Sequence, residues 1–175
     1  IRLALARRTG DFEMAATASR RAEDLMTQLP AEVQARHPEV RAQVLAGGGI
    51  VEAWAGRLDA AAERFAAAAS ATRETAYERA DCLGYLALVE ALRGRLSRAV
   101  ELAGEAAEAL GSGGGDLAED VIPAASVALA WVCLQQGDAQ EAHSQLKLAE
   151  AALRSRPDKL VSALACVVAA QRRLA

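Results

Sequence analysis

Apolar and small residues recur along this chain at the spacing of a helix rather than of a strand. After Gly56 the segment GRLDAAAERFAAA sets Ala61, Phe65 and Ala68 on one stripe. The arrangement returns as GDFEMAATASRRA at Gly10, GRLSRAVELAGEA at Gly94 and GDAQEAHSQLKLA at Gly137. An alanine stands five residues after each glycine (Ala15, Ala61, Ala99, Ala142) and another twelve after it (Ala22, Ala68, Ala106, Ala149). Ser19, Phe65, Ala103 and Leu146 lie between them. These offsets fall on one face of an α-helix, so each copy predicts a helix with a narrow, small-residue face that a neighbour can approach closely.

A second apolar helix precedes each glycine, so the unit is helix, tight turn, helix, returning at intervals of 46, 38 and 43 residues. That period belongs to stacked repeats rather than to one compact bundle. In order, the pattern predicts the tail of a helix over Ile1 to Arg8, then a helix capped by Asp11 and running to about Thr27. A loop with Pro30 follows from Gln28 to His37, and Pro38 opens a helix to Ala55. Gly47, Gly48 and Gly49 disturb that helix, each weakening its interior by roughly 1 kcal/mol relative to alanine; a close backbone neighbour or a break accounts for them. Helices follow over Gly56 to Ala71, from Thr72 or Glu74 to Arg93, and over Gly94 to Leu110. Gly111 to Gly115 has no Lys-Ser/Thr after it and no strand before it, so it reads as a loop rather than a phosphate cradle. Asp116 and Glu119 imitate a capping box, Pro123 kinks or starts a helix to Gln136, Asp138 caps the next through Arg154, and Pro157 opens the last to Ala175.

Composition narrows the picture. The chain has 175 residues, 53% of them hydrophobic but only 3% aromatic, which suits a core of alanine, leucine and valine between close helices. Its longest nearly apolar runs are shorter than the roughly 20 residues a bilayer requires, so no membrane segment is expected. A net charge of -3, with arginines spread along helices, argues against a nucleic-acid surface. Cys82, Cys133 and Cys166 show no CxxC spacing and are expected as buried free thiols, in keeping with a reducing, cytoplasmic setting.

Candidate chemistry is sparse. His37 and His143 are the two histidines, and neither has a nucleophile or carboxylate at motif spacing; no HExxH occurs. Catalytic residues, metal ligands and cofactors are therefore not expected. Glu52 and Glu90 occupy the same place in successive units; a structural role, paired with Arg57 and Arg95 or with backbone donors, is expected over an inward acidic pair.

Leu86-Ala87 and Leu129-Ala130, eight and seven places before their glycines, make the units resemble the tetratricopeptide repeat; Gly48-Gly49 keeps only the small residue. Where that family usually carries an aromatic, four places before the glycine, this chain has Glu52, Glu90 and Cys133. The resemblance implies an all-α fold, a right-handed superhelix of stacked helix hairpins. It also implies a single domain over residues 1–175, of about four repeats plus a half, excised from a longer protein and left as an open spiral. Exposed terminal repeats would allow self-association. The family's concave face implies an apolar groove lined by Ile50, Trp54, Leu88, Leu92, Trp131 and Leu134, holding a small molecule or a peptide; the competing expectation, which is preferred, packs Trp54 and Trp131 between first helices as core. The carboxylate clamp of chaperone-binding members is not expected, because the chain has no Asn and only Lys147 and Lys159.

The stretches HPEVRAQVLAGGGIVEAWAGRLDAAAERF and YLALVEALRGRLSRAVELAGEAAEAL are similar to the sensor region of one group. These are the LuxR-type large ATP-binding transcriptional regulators of actinobacteria, akin to the maltose-system activator. This implies a regulatory segment that binds an inducer or a protein partner and relays that state to ATPase and DNA-binding modules, without touching nucleic acid itself. A generic interaction scaffold unrelated to transcription is the alternative. Either way the alanine stripes must be buried: Ala61→Leu or Ala99→Leu is expected to destabilise by about 1 to 3 kcal/mol. An unchanged melting midpoint for both would place the stripes in water.

Overall fold

The computed structural model describes residues 9–72, 76–111 and 121–174. All regular structure among them is helical, in nine helices: α1 (Phe12–Gln28), α2 (Ala31–Arg36), α3 (Pro38–Trp54), α4 (Leu58–Ala71), α5 (Ala76–Leu92), α6 (Leu96–Gly111), α7 (Pro123–Gln135), α8 (Ala139–Ser155) and α9 (Lys159–Arg172). None is long and apolar enough to cross a membrane.

One turn is built three times. Gly56, Gly94 and Gly137 follow α3, α5 and α7 at φ of 74, 79 and 82°, a left-handed conformation that a Cβ would strain. In the first, Arg57 N–H donates to Glu52 O at 2.9 Å and Gly56 N–H to Ala53 O at 3.1 Å. Arg95 and Gly94 repeat the pair on Glu90 O and Ala91 O, as do Asp138 and Gly137 on Cys133 O and Leu134 O. This Schellman arrangement satisfies the last helical carbonyls and reverses the chain within three residues. Gly10 shares the left-handed conformation (φ 77°).

The reversal sets α3 against α4, α5 against α6 and α7 against α8, while α4 packs on α5, α5 and α6 on α7, and α9 on α7 and α8. At these contacts most of the stripe is interior: Ala61, Phe65, Ala68, Ala99, Ala142 and Ala149 are fully buried, Ala15, Ser19, Ala103, Ala106 and Leu146 nearly so, and Ala22 is half-buried. One core then runs from Ile50 through Phe65, Leu102 and Val127 to Val161 and Val168. Burying such side chains contributes roughly 1.5–3 kcal/mol for each large apolar residue.

Several expected boundaries move for local reasons. Residues 31–36 form α2 instead of loop, held by Gln34 Nε2, which donates to Met26 O and Leu29 O, both at 2.9 Å. The last helix starts after Asp158 and not at Pro157, because the Asp158 carboxylate accepts the Val161 N–H at 3.0 Å and so sets the cap. Asp11 and Asp138 cap as expected, accepting the N–H groups of Met14 and Glu141, each at 2.9 Å. Pro123 opens α7. Of the thiols only Cys82 is buried; Cys133 is half-buried and Cys166 exposed on α9. The expected helix at Ile1–Arg8, the start at Glu74, the loop beyond Gly111, the Asp116–Glu119 pair and Ala175 lie outside the described residues.

The glycines of α3 leave the helix unbroken, and side chains rather than another backbone approach them. A Cβ on Gly49 would stand 2.9 Å from the Phe65 ring, and one on Gly48 would meet Arg64, which pairs with Glu23 of α1. Gly84 of α5 shows the closest backbone approach, a Cβ there lying 3.2 Å from Ala125 N of α7 and in conflict with the Ile122 side chain. The Gly10 turn lies beside the start of α9: a Cβ on Gly10 would be 3.4 Å from Lys159 Cγ and 3.8 Å from the Trp54 ring.

Gly84 and Gly104 make a paired test. Gly104 sits exposed in α6 with nothing near it, so Gly104→Ala is expected to stabilise by about 0.5–1 kcal/mol. Gly84→Ala has the same helix benefit but is expected to lose about 1–3 kcal/mol net through overpacking. Chemical denaturation reads both, and equal signs would refute the tight α5–α7 contact.

Candidate functional site

The equivalent glutamates behave as ion-pair anchors of the turns. Arg57 pairs with Glu52 across the first turn, and Arg95 reaches Glu90 at 3.4 Å across the second. Glu90 is buried, and Arg93 holds its other oxygen at 2.6 Å while also reaching Asp59 of α4. A buried carboxylate is tolerable only with such partners. Cys133 takes the same place in the third turn, where burial first, and then the Glu141 and Asp138 carboxylates, push its thiol pKa up.

A cleft of about 410 Å³ opens between α5, the start of α7 and the α8–α9 turn. Tyr77, Asp81 and Tyr85, four residues apart, line its α5 wall. Arg156, Pro157 and Asp158 supply the facing wall from the turn, with Ser155 and Val161 beside them and Pro123 and Ala124 at the start of α7.

Two of these groups fasten the walls together. The Tyr85 hydroxyl donates to Asp158 Oδ2 at 2.6 Å, both residues being buried, and the Tyr85 ring stacks on Phe65 of α4 with centroids 5.1 Å apart. Arg156 lies with its guanidinium carbon 4.9 Å from the Tyr77 ring centroid and donates through Nη2 to Val121 O at 2.8 Å. A cation–π contact and a hydrogen bond thus hold one arginine where two helix pairs meet the last helix.

The residues expected to line an apolar groove lie elsewhere. Ile50 and Leu88 are 2% exposed each and belong to the core. Trp54, Leu92, Trp131 and Leu134 are half-buried, and Trp54 stacks on Phe12 with centroids 5.9 Å apart. The Trp54 indole N–H has no hydrogen-bond partner among the described residues. None of the six borders the cleft. Its residues escaped the sequence reading, although a signal existed: Tyr77 and Tyr85 are the only tyrosines and share one helical face with Asp81.

Other features complete the surface. A cleft of about 600 Å³ between α8 and α9 is lined by Leu153, Ala165, Cys166 and Ala169 among others. His37 meets Glu39 at 3.0 Å in an exposed position, and His143 is half-buried on α8. No group of three or more His, Cys, Asp or Glu side chains converges as a metal site among the described residues. Neither a scan against protein-family models nor searches of curated proteins and of solved structures finds a match to this chain.

The Tyr85–Asp158 bond carries a stability prediction. Tyr85→Phe keeps the ring and its stacking but leaves a buried carboxylate oxygen without that donor, so a loss of about 1–3 kcal/mol is expected. Thermal melting of the two proteins checks it, and an unchanged midpoint would mean that water replaces the hydroxyl.

Proposed function

We propose that this chain is a regulatory helical-repeat region of the tetratricopeptide type, its hairpins stacking as a right-handed superhelix. We further propose that it serves a LuxR-type transcriptional regulator. In this reading it binds a small-molecule inducer or a protein partner and relays that state to ATPase and DNA-binding modules. The three like turns and the buried alanine stripe support the repeat assignment, and the quoted sequence stretches support the regulator.

The observation that carries the sensing role is the cleft, because its walls come from α5, α7 and the α8–α9 turn. A ligand lodged there touches two successive helix pairs and the last helix, α9. Its affinity then differs between arrangements of those pairs, which is the condition for a ligand to shift a conformational equilibrium.

Two measurements test this. The natural gene should encode a nucleotide-binding loop before this region and a helix-turn-helix after it; a gene with neither overturns the regulator assignment and leaves the interaction scaffold. In a thermal-shift screen of small metabolites, a ligand at a hundred times its Kd is expected to stabilise by about 2.7 kcal/mol. That amounts to several degrees for a domain of this size. A screen with no hit, beside a peptide that does stabilise, would turn the reading toward a peptide-binding scaffold.

A further inference from the structure

The helices that open each pair share a four-residue pattern with α9: Gly48-Gly49-Ile50-Val51 in α3, Leu86-Ala87-Leu88-Val89 in α5, Leu129-Ala130-Trp131-Val132 in α7 and Leu164-Ala165-Cys166-Val167 in α9. The valine is 8, 2 and 2% exposed in the first three, which lie against α4, α6 and α8, but 47% exposed in α9. Along α9 only Val161, Ala165 and Val168 are buried, whereas α5 buries eleven residues and α7 eight. The last helix is therefore covered on one side. Few buried apolar contacts mark the elements that open locally, at less than the free energy of global unfolding. Helix α1 buries as few, but it is bonded to α4 through Glu23 and Arg64.

The polar fastening of α9 is lopsided. Its bonds to the rest of the fold precede its first turn: the Asp158 carboxylate accepts from Tyr85 of α5 at 2.6 Å, and Arg156 donates to Val121 O at 2.8 Å while lying over the Tyr77 ring. Asp158 also caps the helix, accepting the Val161 N–H at 3.0 Å, so the group that sets the start of α9 is the one bonded to α5. From residue 160 to 172 no side chain is bonded to another helix among the described residues; Ser162 donates at 2.6 Å to Asp158 O within its own segment. At the far end Arg172 Nε is buried without a hydrogen-bond partner among the described residues, a penalty that exposure to water removes.

We infer that α9 is a latched strap: it lifts off α7 and α8 as one body about the α8–α9 turn, and the Tyr85–Asp158 bond is the latch that breaks when it does. Tyr85, Arg156 and Asp158 also wall the cleft, so an occupant meets the latch directly. The opening stands on these contacts alone and not on the regulator reading, which the gene sequence tests separately.

Native-state amide exchange on the purified chain, followed residue by residue over rising urea, is the test. Residues 164–172 are expected to exchange through one shared opening, at least tenfold more populated than the opening that exposes residues 83–89 of α5. Its urea dependence should be weaker, because it bares less surface. Tyr85→Phe removes the latch from the closed state alone, so exchange of residues 164–172 should rise at least fivefold. Ala61→Leu, on α4, should speed residues 83–89 and leave residues 164–172 within twofold, since its contacts survive the opening of α9. Should Tyr85→Phe fail to fold, the unaltered chain and Ala61→Leu decide the question. One common opening for residues 83–89 and 164–172, rates graded along α9 as in fraying, or α9 exchange that Tyr85→Phe leaves unchanged would overturn the proposal.

Discussion

Backbone proximity between helices is the constraint on which this architecture depends. Where Ala61, Ala99 and Ala142 face a neighbour, no longer side chain fits without displacing a whole helix, and interiors packed this densely transmit displacement rather than absorb it. Glycine tightens the approach further at two places, against the Phe65 ring at Gly49 and against the start of α7 at Gly84. Between the helices the left-handed glycine turns act as fixed spacers. Each satisfies the equivalent carbonyls with the same pair of hydrogen bonds around a left-handed glycine.

Local features were readable in the residues, and distant meetings were not. The alanine stripe, the turn glycines and the caps at Asp11 and Asp138 are periodic or short-range, and their physics is complete within a few residues. Glu52–Arg57 and Glu90–Arg95 were readable for the same reason, since both pairs span one turn. By contrast, Arg93 reaches Asp59 on another helix, and nothing in the spacing of those residues announces it. The groove expectation shows how a borrowed register misleads: it set Leu88 on an open face, but α7 lies across α5 at Gly84, and Leu88 is inside. The cleft was invisible because its walls, Tyr85 and Asp158, stand far apart in sequence and meet only through the stacking order.

Residues 155–158 join these themes. The turn between α8 and α9 is short and would ordinarily be a passive connection, yet Asp158 reaches back from it to α5 and Arg156 to Val121, two residues before α7. Polar groups buried at such a junction contribute geometry more than net stability, because satisfied networks fix one arrangement among several of similar packing energy. The cleft thereby inherits defined walls from an otherwise apolar stack.

The meeting of the Gly10 turn with Lys159 bears on how the molecule comes apart. A linear array in which each unit touches only its neighbours can fray from either terminus, one unit at a time. Here the Gly10 turn lies beside Lys159 of α9, and Tyr85 holds Asp158 past an intervening pair. A bond that skips a pair ties the start of α9 to α5, so α9 cannot peel away without also breaking the Tyr85–Asp158 contact two units back.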